Sequence, residues 1–558
     1  MANVFEPRFL PASLYIEAIL RNATIADRRE TLKLIKDGSG FVDAYDAMLE
    51  RIKAQDEEKI TLAIAALTWV CHSERPLQVD ELCHALAVEI GATDFDSKNV
   101  PSVAALIYCC QGLIVVDSEA STVRLIHYTA QEYLCSYPGL FNKPHSILAE
   151  TCLTYLNSQK VKNLPPHSLP TPQSMPFLTY SARYWATHTN EDLSDHAMAL
   201  ALELLNQYED HISGLSLLRQ AVSPEDSRLI TSSPLFSGLH CASFLGIVEL
   251  VTVLLNDEGC DVNQRDCAGR TPLAWAANNG HEEVVKTLLE WKNVKPDFSD
   301  LHGRTPLVNA SLSGHEGVVE LLLERENVDP NLQDNNGNGP LGWAVIMGHK
   351  GVVKLLLKRE NVDPNLQEEN GITPLAYAAI FGDVGVAKLL LERENVDPNL
   401  RGVGRGGPLG WAAISGHEGL VKLLLEREDV DPNLRGYKGD GPLGYAAIEG
   451  HDGVIKLLLE REDIDPNRRN NIGRTPLACA AFHGHEGVVK LLLEREDVDP
   501  NRTDYLFVTP LSYATWKGHQ RIVQLLQARE SADAPDDGAR RERRRDVLMR
   551  SVFSALNL

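Results

Sequence analysis

The sequence predicts a mainly α chain: a solenoid of stacked helix pairs with short finger loops, preceded by a small three-helix module that ends in a β-hairpin. Three observations carry this reading. A Pro-Leu pair recurs every 34 residues, at Pro272, Pro306, Pro340, Pro374, Pro408, Pro442, Pro476 and Pro510. Each interval holds two short apolar stretches with helical spacing. Upstream, three helical patterns precede two β-rich runs that flank a polar turn.

The repeat unit justifies itself residue by residue. In 475–508, TPLACAAFHGHEGVVKLLLEREDVDPNRTDYLFV, Thr475 caps a helix and Pro476 suits its first turn, where a missing N–H costs nothing. Ala478, Ala480 and Ala481 allow close helix approach, and Gly484 ends the helix in the left-handed region. Val488, Leu491 and Leu492 form the apolar stripe of a second helix, and Asp499-Pro500-Asn501 is turn chemistry. Neither helix can bury its face alone, so the units must stack. A weaker unit around Leu239 brings the expected count to nine, over 231–530.

This pattern resembles the ankyrin repeat, whose signature is TPLHxAA followed by GH and VVKLLL. The resemblance implies an ankyrin α-solenoid with short β-hairpin fingers. It also implies that partners bind on the inner face of the first helices and on the finger tips. The signature His survives only as His240, and Ala, Gly, Val or Ser replaces it elsewhere. The period is 34 rather than 33. The extra residue lies in EREDVDPN, where the family usually closes the second helix with Gly, so a longer exit loop is expected.

Two columns precede the Gly that ends each first helix. The first holds Asn278, Leu312, Ile346, Ile380, Ile414, Ile448, Phe482 and Trp516, and the second includes Met347 and Phe381. The finger tips are the least repetitive segments and contribute Arg405, Tyr437, Lys438, Tyr505 and Phe507. Column-one residues either pack on the neighbouring unit or form an apolar strip that takes a protein partner. Trp275, Trp343, Tyr377, Trp411 and Tyr445 are expected in the core.

Metal chemistry is not expected. His281, His315, His349, His417, His451, His485 and His519 form a ladder, but zinc ligands lie about 2.0–2.1 Å from one ion and packed helices are roughly 10 Å apart. The ladder from Asp329 to Asp499 fails for the same reason. The glycine-rich 402–407 sits on a finger rather than between a strand and a long helix, which is the wrong place for a phosphate loop.

In the upstream module, Phe41–Lys53 is amphipathic, and helices are expected over Glu57–Val70, Gln78–Val88 and Val103–Cys110. The runs Leu113–Asp117 and Thr122–His127 form the hairpin. Three helices and a hairpin make a winged helix. Its third helix carries no Lys or Arg, so DNA binding is not expected.

The segments GFVDAYDAMLERIKAQDEEK, LTWVCHSERPLQVDELCHALAV and GLIVVDSEASTVRLIHYTAQEYL resemble the region that follows the NACHT NTPase domain in fungal NLR-like (STAND) proteins. That region carries the winged helix named after GPI inositol-deacylase. Residues 1–40 resemble the last helices of NACHT itself. The family's His-x-x-x-Gln-Glu-Phe/Tyr motif is matched by His127, Gln131, Glu132 and Tyr133, which implies a nucleotide-sensing His127. The chain has no Gly-Lys-Ser or Gly-Lys-Thr tripeptide, so no phosphate loop and no bound cofactor are expected. His127 then simply ends a strand.

The expected organisation is a helical remnant at 1–40, the winged-helix module at 41–140, a helical connector at 141–230, the repeats at 231–530 and an Arg-rich tail at 531–558. Connector helices are expected over Ile147–Leu156, Leu178–His188 and Ala197–Tyr208. Arg540–Arg545 is either a nuclear-import patch or the solvated start of a tail helix.

Composition narrows the function. With 44% hydrophobic residues the chain can bury a core. Its formal charge of −23 argues against a nucleic-acid or anionic-membrane partner for the body. The longest apolar run, Ile60–Cys71, is too short for a membrane span, which needs about 20 residues. The N-terminus lacks a secretory pattern. Ten scattered cysteines without a CxxC pair read as reduced thiols of a cytoplasmic or nuclear protein.

The expected function is a non-enzymatic scaffold whose repeats bind a protein partner, one with a basic rim around an apolar centre. The alternatives are the C-terminal part of a signalling NTPase with Met1 a truncated start, and a nuclear transcription regulator.

Overall fold

The computed structural model describes residues 40–117, 119–164, 175–206, 236–257, 259–402, 404 and 406–532. The expected remnant at 1–40 (save Gly40), the tail helix, Arg540–Arg545 and Arg405 lie outside the described residues. The chain divides into two compact units. One ends with Ala276 and the stretch Glu283–Val294, and the other holds Ala277–Glu282 and the described residues from Lys295 on.

In the first unit, α1 (Gly40–Lys53), α2 (Glu57–His72), α3 (Val79–Leu86) and α4 (Val103–Cys109) lead into a two-stranded antiparallel sheet. Strand β1 (Ile114–Asp117) pairs with β2 (Thr122–Leu125) in the register Ile114 to Leu125. The segment before α3 joins their edge: Val123 N–H donates to Leu77 O at 2.9 Å and Val79 N–H to Ser121 O at 3.0 Å. The winged-helix reading therefore holds, with one helix that the sequence did not announce, α5 (Tyr128–Ser136). Asp56 caps α2 by accepting from Lys59 N–H, and Ser102 caps α4 through Ala105 N–H.

The connector is built from α6 (Pro144–Asn157), α7 (Gln159–Lys162), α8 (Leu178–Glu191) and α9 (Asp195–Leu205). Helix α6 is buried along most of its length, with α2, α8 and α9 packed on it. Trp185, Tyr180, Tyr155 and Phe177 fill that centre. Helix α9 then packs on both helices of the first repeat, Gly238–Leu245 and Val248–Leu255.

In the second unit the first helices are Pro306–Ser313, Pro340–Ile346, Pro374–Phe381, Pro408–Ser415, Pro442–Glu449, Pro476–His483 and Pro510–Lys517. Each packs on its neighbours 34 residues away. Thr305, Thr373, Thr475 and Thr509 cap their helices as expected, and where Gly replaces Thr the Pro alone starts the helix.

Three side-chain ladders join successive repeats. The histidines bond backward to the preceding first helix: His349 Nε2 to Leu312 O at 3.1 Å, His417 to Ile380 O at 3.1 Å, His451 to Ile414 O at 3.0 Å and His485 to Ile448 O at 2.8 Å. Each satisfies a carbonyl at a helix end that has no intrahelical partner. The arginines of the exit loop do the same for the second helices, with Arg393 bonding Leu357 O at 2.6 Å and Arg495 bonding Leu459 O at 2.8 Å. The missing Gly cap is thereby explained. Those helices end in residues with right-handed backbone, such as Glu392 and Glu460, and the next repeat's Arg supplies the cap. The third ladder is Asn331, Asn365, Asn399, Asn433 and Asn467, each donating about 30 residues ahead, as Asn365 Nδ2 does to Asn395 O at 2.7 Å.

Candidate partner-binding face

Most fingers are folded by one buried acidic or amide side chain, and glycine stands at that position in two of them, Gly402 and Gly436. Asp334 Oδ1 accepts from Asn336 N–H at 3.0 Å and Asn338 N–H at 2.9 Å, while its Oδ2 takes the indole Nε1–H of Trp343 at 2.9 Å. Asp266 and Trp275 repeat this at 3.0 Å, and Tyr513 donates to Asp504 in the same way. These aromatics therefore pin the fingers. Trp275 and Tyr445 are buried as expected, whereas Trp343, Tyr377 and Trp411 are half-buried.

The tips are joined by backbone. Tyr437 N–H donates to Gly404 O at 2.8 Å, Asn471 to Lys438 O at 3.0 Å and Tyr505 to Ile472 O at 3.3 Å. Side chains on these tips consequently stand in a row. Tyr437, Lys438, Tyr505 and Phe507 are all exposed, Tyr437 by 82% and Phe507 by 74%.

The two columns behave differently. Leu312, Ile346, Ile380, Ile414, Ile448 and Phe482 are half-buried, because each packs beside the next first helix while its carbonyl is held at the helix end. Ile346 is the exception to the carbonyl bond: Asp383 replaces the histidine there, caps its own helix through Val386 N–H at 3.1 Å and pairs with Lys350 at 3.0 Å. The side chains that stand out are Met347 (48% exposed), Phe381 (56%) and Trp516 (45%). Phe381 stacks on Tyr377 at 6.5 Å, and Trp516 lies 5.9 Å from Phe482. Sequence spacing alone did not separate the two columns.

The first unit offers a different feature, a cleft of about 550 Å³ between the end of α2 and the hairpin, lined by Arg75, Arg124, His127, Tyr128 and Gln131 among others. His127 is the N-cap of α5, with Nδ1 2.8 Å from Thr129 Oγ1 and accepting from Thr129 N–H at 3.4 Å. Gln131 of the same motif donates to Cys71 O at 2.7 Å, and Tyr133 bonds Asp46. Arg75 is held by the buried Glu81 at 2.6 and 2.7 Å, and Arg124 lies 3.4 Å from Asp117. Both guanidinium groups that line the cleft are thus neutralised by carboxylates of the chain itself, which leaves little attraction for a phosphate.

Burial pushes the Cys83 thiol up to about 11 and the Cys479 thiol up to about 12, which holds both as poor nucleophiles. Among the described residues no three His, Cys, Asp or Glu side chains are placed to hold a metal ion, and no helix is long and apolar enough to cross a membrane.

Comparison with known proteins agrees with this architecture. Residues 46–141 match the GPI inositol-deacylase winged helix domain. The chain is 25% identical over 320 residues to the "Azaphilone pigments biosynthesis cluster protein L" of Monascus ruber, covering 50% of this chain and 67% of that protein. It is 44% identical over 68 residues to the "Probable E3 ubiquitin-protein ligase XBOS33" of Oryza sativa subsp. japonica, 12% of this chain and 13% of that one. The ankyrin repeat model matches residues 239–334, 326–402, 409–504 and 466–536, together more than half of the chain. The chain belongs to the ankyrin-repeat family.

Proposed function

We propose that this protein is a non-enzymatic scaffold whose repeats capture a protein partner on the inner face and the finger tips. The observation that supports this best is the set of large apolar side chains left standing on that face, Met347, Phe381 and Trp516, beside a first column whose other residues are half-buried. Ordered apolar groups of this size on a rigid surface are the anchors from which interfaces are built. The test is affinity capture with the wild-type chain and with Met347→Glu/Phe381→Glu. Loss of the captured protein at unchanged fold supports the reading, and unchanged capture contradicts it.

The winged-helix match, with the sequence resemblance around it, supports a finer reading: a cytoplasmic adaptor related to fungal NLR-like (STAND) signalling proteins. A second reading is that the chain is the C-terminal part of such an NTPase. Translation of the genomic sequence upstream of Met1 tests it, because a P-loop preceded by a strand pattern favours the fragment and its absence favours a stand-alone adaptor. The rice relative shares only about two repeat lengths, so the activity in its name is not carried over.

A further inference from the structure

The charge of the finger tips changes along the second unit. Fingers 331–339 and 365–373 contain Asp334, Glu368 and Glu369 and no cation. The last three fingers, 433–441, 467–475 and 501–509, reverse this with Arg435, Lys438, Arg468, Arg469, Arg474 and Arg502. Their two carboxylates are not available to those cations. Asp440 and Asp504 are buried and occupied, the first by Asn470 Nδ2 at 2.8 Å and the second by Tyr513 and the backbone of Leu506 and Val508.

Arg474 donates to the Tyr513 hydroxyl at 3.0 Å, and two other finger arginines bond carbonyls. Arg435 reaches Gly439 O at 2.9 Å and Arg469 O at 3.0 Å, and Arg469 reaches Thr503 O at 2.8 Å. None pairs with a carboxylate among the described residues. The exit loops show the opposite habit: Arg427, Arg461 and Arg495 each grip an Asp two residues on, at 2.6–2.7 Å. The exit-loop arginines Arg427, Arg461 and Arg495 are therefore paired with carboxylates, and among the described residues the cations of the last three fingers are not.

Aromatic groups share this basic edge. Tyr437, Tyr505 and Phe507 project from the tips, and Arg469 lies 5.9 Å from the Tyr505 ring centre. On the inner face of the same repeats Phe482 is flanked by Arg474 and Lys517, both at 4.6 Å, and Lys517 also lies 4.5 Å from Trp516. Glu449 is the one acidic residue in the second column of this end.

We infer that the last three repeats form a basic, aromatic platform whose ligand is a short acidic polypeptide segment bearing aromatic or aliphatic side chains. This rests on the scaffold reading and adds to Met347 and Phe381 a second contact region at one end of the repeats. It departs from the expectation of a basic-rimmed partner, because the charge of the chain is unevenly spread over the finger tips. A short peptide fits better than a nucleic acid. Screening confines the attraction of the tips to about 8–10 Å, and a long polyanion would also meet the acidic remainder of a chain of charge −23.

The test is fluorescence anisotropy of the full chain with a labelled Glu–Tyr random copolymer, set against polyglutamate and a single-stranded oligonucleotide of similar length. Saturable binding of the copolymer is expected, tighter than polyglutamate, weakened by salt, and reduced about tenfold by Lys438→Glu/Arg502→Glu. Lys354→Glu/Lys388→Glu on the second helices is expected to change it little. Thermal melting and far-UV circular dichroism establish that each variant is folded. Absence of copolymer binding, indifference to the tip reversal, or an oligonucleotide bound as tightly would overturn the inference. Capture that is lost in Met347→Glu/Phe381→Glu while the copolymer fails to bind would leave the scaffold reading standing and remove only this one.

Discussion

His417 Nε2 lies 3.1 Å from the carbonyl oxygen of Ile380, 37 residues earlier. The bond ties the start of one repeat's second helix to the end of the preceding first helix, and so fixes the backbone that carries Ile380 and Phe381. Removing the imidazole leaves a half-sheltered carbonyl without its donor. His417→Ala is expected to cost about 1–2 kcal/mol in urea unfolding. A cost near zero would mean that water replaces the bond.

The same imidazoles fill the space beside the helix-ending glycines. Gly416 has φ +74°, and a Cβ there would sit 2.7 Å from His451. Gly416→Ala therefore meets both a backbone penalty and a clash, and about 1–3 kcal/mol of destabilisation is expected. Gly348, also left-handed but with nothing within 4 Å, should tolerate Ala better. Comparing the two by thermal melting separates the clash from the backbone cost.

The connector should make stability depend on acid. Tyr180 OH is 3.0 Å from His188 Nε2, and His145 Nδ1 is 3.1 Å from His188 Nδ1. Burial, reinforced by His145 and His72, pushes His188 down to about 4. In the unfolded chain the group takes up its proton near 6.5. Its contribution is complete above that value and is lost as pH falls through the window from about 6.5 to 4, by at most about 3 kcal/mol. Urea unfolding between about pH 7 and 4.5 should show this loss, and His188→Gln should flatten the dependence.

His127 caps α5, and this predicts graded effects. His127→Asn keeps an acceptor and should be nearly neutral, whereas His127→Ala should cost about 1 kcal/mol. Because Arg75 and Arg124 are already paired, ADP is expected to leave the melting temperature unchanged. A dose-dependent rise would instead indicate a nucleotide site in the cleft.

The fold was largely legible because its signals are local and repeated. Pro at the first turn, Gly past the last, and an apolar stripe between them recur every 34 residues, and each acts within its own repeat. What remained hidden acts between repeats. The histidine ladder is a row of bonds spanning 37 residues, and the exit-loop arginines cap helices that lack their own glycine. The buried finger carboxylates, such as Asp334 under Trp343, read in sequence as ordinary turn residues. The candidate site was legible only as a pair of columns. Ile380 and Phe381 are adjacent and both apolar, yet the packing of neighbouring first helices half-buries one and exposes the other.

The central claim is that the exposed apolar side chains of the inner face capture a protein. The most direct measurement is affinity capture by Met347→Glu/Phe381→Glu beside the wild type, with circular dichroism and melting recorded on both. Surface changes of this kind should alter stability by no more than about 0.5 kcal/mol. Loss of the captured protein from a chain that melts like the wild type is the predicted result, and full retention by the folded variant would contradict the claim.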